Sequence, residues 1–235
     1  MLEVTNLHAH YGSSHIIQGV DLIVRPGEML GIFGRNGVGK TTLLKTVAGW
    51  IAPTAGDIRV DRQQVGGATP DHICRLGLGF VPEDRRIFPG LTVEENLALG
   101  WMQAPRRSRA ANREAMDRVY RRFPRLHERR HQAGNTLSGG EQQMLAMARV
   151  MVGETKILLV DEPSEGLAPM IVADLYAILR DMKEAGAAIL LVEQNIAQAL
   201  TLCDRFVAME RGRLVFQGNA KQQTDCDKLL SIMAV

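Results

Sequence analysis

Lys40 and Thr41 close the run Gly34-Arg35-Asn36-Gly37-Val38-Gly39-Lys40-Thr41, which fits the spacing G-x-x-x-x-G-K-[ST]. Residues of these types at this spacing cradle the phosphates of a nucleotide. Backbone N–H groups wrap the β-phosphate, the Lys40 ammonium reaches the β- and γ-phosphates, and the Thr41 hydroxyl ligates Mg²⁺. Gly34, Gly37 and Gly39 permit backbone conformations and close approaches that a Cβ obstructs. The candidate nucleotide-binding stretch runs on to Thr42, with the start of a helix adding its positive end. A second acidic feature lies far downstream, where Asp161-Glu162 closes the apolar run Ile157 to Val160. A carboxylate at the end of a buried strand is costly unless it serves an ion, so Asp161 is expected to hold Mg²⁺, directly or through water. A third is Leu137-Ser138-Gly139-Gly140-Glu141-Gln142, in which Ser138 and Glu141 form a capping box. A helix N-terminus with bare N–H groups is therefore predicted there, an anion site without a loop of its own.

These residues need elements to carry them. Strands are predicted at Leu2 to Val4 and Gly19 to Val24, around a turn at Tyr11-Gly12-Ser13-Ser14. Met29 to Phe33 is a short apolar strand entering the glycine-rich loop, and Lys40 to Gly49 the helix leaving it, stopped by Gly49 and Pro53. Strands follow at Ile58 to Val60 and Leu78 to Val81. Thr92-x-x-Glu95 caps the next helix, and helical patterning with an Arg-rich middle continues to about Val152. Ile157 to Val160 is continuously apolar, as in a parallel sheet buried on both faces. A helix over Leu167 to Ala185, a strand over Ala188 to Val192, a helix over Asn195 to Leu202 and strands at Arg205 to Met209 and Leu214 to Gln217 complete the alternation. The fold expected is α/β: a P-loop NTPase core with a mainly parallel sheet, an N-terminal antiparallel β subdomain and an inserted α-helical subdomain. Residues 1–235 form a single domain, with the helical insertion at about 84–152.

At 235 residues the chain is long enough for one substantial core. A formal charge of +2 gives no argument for a nucleic-acid partner. Between Arg106 and His131 stand ten arginines and no lysines, against only Glu114, Asp117 and Glu128. That is read as a solvated helical face, with an acidic partner or lipid headgroups as the alternative. Cys74, Cys203 and Cys226 are too scattered for a zinc or disulfide framework. His8, His10 and His15 crowd one stretch with no carboxylate or Cys beside them, and are read as strand and turn surface rather than metal ligands. The opening Leu2-Glu3-Val4 lacks a signal-peptide pattern, and no run approaches the roughly 20 apolar residues of a membrane span. A soluble, cytoplasmic chain is expected, with other subunits crossing any membrane.

The loop at Gly34 to Thr41, the Leu-Ser-Gly-Gly-Glu-Gln segment and the Asp161-Glu162 pair together resemble the nucleotide-binding subunit of an ATP-binding cassette (ABC) transporter, from Leu2 to about Gly218. The resemblance implies ATP and Mg²⁺ as cofactors. It implies that Glu162 is the general base that polarises the attacking water. It also implies that two subunits sandwich two ATP molecules, so that Ser138, Gly139, Gly140 and Glu141 reach the γ-phosphate held by the opposite subunit. Tyr11 stands where the family places an aromatic that stacks on adenine.

Three positions depart from the commonest cassette pattern. Glu83 follows Val81-Pro82 where Gln is usual and is a candidate additional oxygen ligand to Mg²⁺. Ala168 replaces Asp after Glu165-Gly166-Leu167. Gln194 stands where a His normally contacts the γ-phosphate, and its amide can donate there without being protonated; Gln194 is thus paired with Glu162 as a catalytic candidate. The stretches Arg86-Ile87-Phe88-Pro89-Gly90-Leu91-Thr92-Val93-Glu94-Glu95-Asn96-Leu97 and Glu162-Pro163-Ser164-Glu165-Gly166-Leu167-Ala168-Pro169 resemble the second ATPase subunit of branched-chain amino-acid importers, close to the urea-import ATPases. The partners implied are a second ABC ATPase subunit, two transmembrane permease subunits and an extracytoplasmic solute-binding protein, with the chain peripheral on the cytoplasmic face of the inner or plasma membrane. Glu83 to Gly100 would dock a cytoplasmic helix of the permease. A soluble cassette of DNA repair or translation would need a coiled-coil insertion or a second cassette, and a non-hydrolysing binding module would not need Glu162.

Overall fold

The computed structural model describes residues 1–103 and 108–234. Two sheets organise the chain. The first is antiparallel, with β1 (Leu2–Tyr11) between β2 (Ser14–Val24) and β4 (Ala55–Val60), and the two-residue β5 (Gln63–Gln64) outside β4. The second has the order β10-β9-β3-β8-β7-β6, formed by β3 (Met29–Phe33), β6 (Leu78–Val81), β7 (Ile157–Asp161), β8 (Ala188–Val192), β9 (Arg205–Glu210) and β10 (Arg213–Asn219). Strands β9, β3, β8, β7 and β6 run parallel, and only the edge strand β10 is antiparallel. The runs Met-Leu-Gly-Ile-Phe, Ile-Leu-Leu-Val-Asp and Ala-Ile-Leu-Leu-Val are buried at every residue. That continuous burial is what a central parallel strand covered on both faces requires.

Alternation along those strands sorts the core into two layers. Leu30, Ile32, Ile157, Leu159, Leu190 and Val192 pack with the antiparallel sheet and with α1 (Lys40–Val47). Their neighbours Met29, Phe33, Leu158, Val160, Ile189 and Leu191 pack toward α6 (Gly139–Val152) and α7 (Pro169–Glu184). Because side chains alternate with period two, Asp161 falls on the α1 side.

The α2 helix (Pro70–Arg75) leads into β6. Between β6 and β7 lie α3 (Val93–Gln103), α4 (Arg109–Arg122), α5 (Pro124–Glu128) and α6. Thr92 caps α3 as expected: its N–H donates to Glu95 Oε2 at 2.8 Å and its hydroxyl accepts from the Glu95 N–H at 3.2 Å. The Arg-rich face is laced with ion pairs, Arg118 to Glu114 and Glu154, Arg122 to Asp181, and Arg129 to Glu141. Arg106 and Arg107 lie outside the described residues. After β8 come α8 (Ile196–Leu200) and, beyond β10, α9 (Gln223–Ala234).

The first hairpin is longer than the short strands predicted, because exposed polar residues on its outer face mask the alternation. The helices α2 and α9 are additions to the predicted set. Among the described residues no helix is long and apolar enough to cross a membrane.

Candidate nucleotide and cation site

Every sequence-predicted site residue apart from Tyr11 and the capped helix start sits at or just beyond the C-terminal end of a parallel strand. Ile32 pairs with Val192, and Val192 with Asp161, so the ends of β3, β8 and β7 share one row. Loops leaving those ends necessarily meet. The phosphate loop turns through left-handed conformations at Gly37 (φ 81°) and Gly39 (φ 112°). Gly34 is required for a different reason, since a Cβ there would stand 2.5 Å from the Met209 carbonyl oxygen. Lys40 opens α1 and is 5 % exposed. Its ammonium donates to the Gly34 and Arg35 carbonyls at 2.8 and 3.1 Å, folding over the loop whose phosphate it would meet.

Asp161 is fully buried, and neither carboxylate oxygen has a hydrogen-bond partner. Burial pushes its carboxyl up to about 6; the charges of Glu162 and Glu83 push the same way, and the Thr41 side chain and Lys45 offset part of it. An orphaned buried carboxylate facing a threonine on α1 fits an oxygen-ligated divalent ion such as Mg²⁺.

Glu162 follows with φ 44°, a conformation uncommon for a residue with a Cβ. Its N–H remains tied to the Val192 carbonyl at 2.9 Å. This turn sends the side chain away from Asp161's face, to within 3.6 Å of the Lys40 ammonium. Gln194 donates its amide N–H to the other Glu162 oxygen. Glu83 joins the same neighbourhood: the carboxylates of Glu83, Glu162 and Glu165 offer oxygens all within 4.8 Å of one another. Desolvation, then the Glu165 and Glu162 charges, raise the Glu83 carboxyl above its ordinary value. Glu83 is therefore grouped most closely with Glu162 and Glu165, with Thr41 and Asp161 on the adjoining side.

The helix start at Ser138 has the predicted capping box: the Ser138 N–H donates to Glu141 Oε2 at 2.9 Å and the Glu141 N–H to Ser138 Oγ at 3.4 Å. It belongs to α6, apart from the phosphate loop. Tyr11 is 51 % exposed at the tip of the β1–β2 hairpin.

Sequence reasoning passed over two features. Glu193, buried beside Gln194, accepts from Ser164 N–H and Oγ, from the Tyr176 hydroxyl and from the Gln194 N–H, at 3.2, 2.9, 3.1 and 3.0 Å. It locks the end of β8 to the loop after β7, and so fixes Gln194 against Glu162. Its signal in the sequence was a carboxylate directly after the buried Val192. The second is Arg85, whose guanidinium stands over the first turn of α6, Nη1 lying 3.0 Å from where a Cβ on Gly139 would be. Arg149, on α6, donates to the Arg86 and Arg85 carbonyls at 2.8 and 3.3 Å, tying that turn to the capped helix.

A parallel sheet with a glycine-rich loop after one strand and an acidic pair after another defines a P-loop nucleotide-hydrolysing fold. Residues 17–165 match the family described as ABC transporter. The chain is 41 % identical over 215 residues to the high-affinity branched-chain amino acid transport ATP-binding protein BraG of Pseudomonas aeruginosa, covering 92 % of this chain and 91 % of that one. It is 33 % identical over 231 residues to the probable branched-chain amino acid transport ATP-binding protein LivF of Archaeoglobus fulgidus, covering 97 % and 96 %. A solved ATP-binding subunit of an ABC transporter superposes with a TM-score of 0.89 at 28 % identity over the whole of both chains. The chain belongs to the ABC transporter family and is an ATP-hydrolysing subunit of it.

Proposed function

We propose that this subunit powers import of branched-chain amino acids, or of a related small polar solute, by hydrolysing Mg²⁺–ATP between itself and a second ATPase subunit. Residues 1–235 act as one cassette, with about 84–152 as its helical insertion. Two permease subunits and an extracytoplasmic solute-binding protein complete the assembly, and the chain works peripherally at the cytoplasmic face. The solute reading draws on the two relatives that carry branched-chain amino acid transport in their names. The observation that carries the chemistry is the placement of Glu162, nearly buried, within 3.6 Å of Lys40 and held by Gln194.

Backbone N–H groups from Gly34 to Thr42 and the Lys40 ammonium bind the phosphates, and Tyr11 presents a ring to the base. Thr41 and Asp161 hold the cation, with Glu83 as a further oxygen ligand at its edge. Mg²⁺, when bound, offsets the negative charge of the phosphates. Glu162 accepts the proton of the water whose oxygen attacks the γ-phosphorus. The Gln194 amide has two N–H bonds; one holds Glu162 and the second is free for a γ-phosphate oxygen. Ser138 to Glu141 serve the nucleotide on the opposite subunit, so binding closes the pair and hydrolysis opens it.

A cleft of about 1060 Å³ between the sheet and the helical insertion fits the docking of a permease helix. Its walls include Trp50, Phe80, Arg86, Phe88, Leu99 and Met102. Arg86 lies 4.7 Å over the Trp50 ring and Arg149 5.7 Å over the Phe88 ring. Arg86 and Phe88 lie three and five residues after Glu83, so the cleft and this further cation ligand share one loop.

The test is turnover of the assembled complex. Glu162→Gln keeps ATP binding while hydrolysis at its site falls by roughly 10²–10⁴-fold, whereas Lys40→Ala loses binding as well. Hydrolysis at that site surviving Glu162→Gln would remove Glu162 from the role of base.

A further inference from the structure

His8 and His10 stand two apart on β1, so the pleat turns both to one face, away from the buried Ala9 between them. Register adds a third ring from the neighbouring strand, for His10 pairs with His15 of β2. The result is a stack. The His10 and His15 rings are 4.1 Å apart and within 5° of parallel, and the His8 and His15 rings 5.1 Å apart at 26°. His8 Nδ1 lies 3.0 Å from His15 Nε2. His15 is exposed and His8 and His10 are half-buried, and the structure gathers into one cluster three imidazoles whose only link in the sequence is proximity along the chain.

The outer contacts fix which nitrogens are available. With the Asn6 side-chain oxygen 3.1 Å from His8 Nε2, the pairing assigns the His8 proton to Nε2, which leaves Nδ1 with a lone pair. A ligating imidazole whose other N–H is held by a carbonyl oxygen is the usual support around a bound metal. His10 Nδ1 is 2.9 Å from the Thr54 hydroxyl on the other flank, leaving its Nε2 for a ligand. Two imidazole nitrogens on one tetrahedral ion at Zn–N of about 2.0–2.1 Å stand roughly 3.3 Å apart. In this pair the two nitrogens face each other across a hydrogen bond of 3.0 Å, so an ion replacing the shared proton requires both rings to swing until their in-plane lone pairs converge on it.

We propose that His8, His10 and His15 form a site for a divalent transition-metal ion of the Zn²⁺, Ni²⁺ or Cu²⁺ class. His8 Nδ1 and His15 Nε2 are the first two ligands, and His10 turns its ring out of the stack to supply the third. An all-nitrogen donor set selects such ions over Mg²⁺ and Ca²⁺, which take oxygen. A bound ion ties β1 to β2 at the end of the hairpin that carries Tyr11, and so stiffens the strand presenting that ring. The site is separate from the carboxylates around Glu162 and does not depend on their role.

Titration calorimetry of the full chain with ZnCl₂, in excess Mg²⁺ to occupy oxygen sites, decides the matter. Wild type and His72→Ala, which alters an exposed histidine elsewhere, are expected to bind one Zn²⁺ per chain at this affinity. His8→Ala and His15→Ala are expected to lose it by more than the roughly 10–100-fold that follows loss of an outer supporting partner. Zn²⁺ should also raise the melting temperature of wild type and His72→Ala but not of the two hairpin variants. Equal Zn²⁺ binding by wild type and both hairpin variants, or no binding by wild type, overturns the proposal.

Discussion

Replacing Asp161 with Asn is expected to stabilise the nucleotide-free protein while abolishing its hydrolysis. Asp161 is fully buried and both its oxygens lack a hydrogen-bond partner. Burial lifts its carboxyl from 3.8 to about 6. A folded-state value above the unfolded one means that the fold favours the protonated form. Its stability is intact below the unfolded value and is lost as pH rises through the folded one, so the loss falls mainly between about pH 4 and pH 6. A shift of about two units at 1.36 kcal/mol each amounts to about 3 kcal/mol at pH 7.5. Asn carries no charge but leaves a buried amide unpaired, which costs about 1–3 kcal/mol. The net gain is then about 0–2 kcal/mol, a rise of up to roughly 8 °C in melting temperature for a chain of this size. Thermal melts in chelator at pH 7.5 and pH 4.5 measure it. The variant should melt higher at pH 7.5, with most of the advantage gone at pH 4.5, and Mg²⁺ with ATP should raise the wild type far more than the variant. A variant that melts below wild type at pH 7.5 in chelator, or gains equally at both pH values, refutes the reasoning.

Ser138→Arg is expected to leave ATP binding by the isolated subunit intact and to impair hydrolysis by the assembled complex; parallel loss of both would make the capped start of α6 merely structural. Gln194→Ala is expected to lower turnover by about one to two orders of magnitude, since a hydrogen bond to a charged group contributes about 1.5–3 kcal/mol. Gln194→His should retain more activity than Ala, because an imidazole N–H can reach in the same direction. With the partner's base disabled so that only this site reports, equal rates for wild type and Gln194→Ala would exclude the contact.

The parallel core was legible because three of its strands are apolar at nearly every position, a pattern only a doubly covered strand produces. The site was legible for a related reason. Chemistry at the C-terminal ends of parallel strands is written in short runs, so Gly34 to Thr41 and Asp161-Glu162 each carry their own spacing. What could not be read was register. Nothing local says that His15 pairs with His10, because β1 and β2 slip out of step between Val4 and Leu7, between Leu7 and His8, and again between Ala9 and His10. The same limit hid the bonds of Glu193, whose partners Ser164 and Tyr176 lie 29 and 17 residues away. It also hid Arg85 over Gly139, a meeting across the helical insertion.

Two departures from the commonest cassette pattern have a joint meaning that neither has alone. Glu83 adds a carboxylate where a neutral amide is usual, and Gln194 is a neutral amide where an ionisable imidazole is usual. Glu83 makes the surroundings of Glu162 more negative, and Gln194 cannot offset that by taking up a proton. Asp161, Glu162, Glu165 and Glu83 are gathered there, with Lys40 against Glu162 and Lys45 bearing on Asp161. Burial and mutual repulsion raise the carboxyls of Asp161 and Glu83. Such a group of carboxylates is unfavourable at neutral pH until a cation enters it. A neutral Gln194 suits that setting, because it steadies Glu162 at any pH without altering the charge. Under the role proposed for Glu162, Gln194 supplies the hydrogen bond and leaves charge compensation to the cation, so occupancy of that cation site becomes the condition for Glu162 to act.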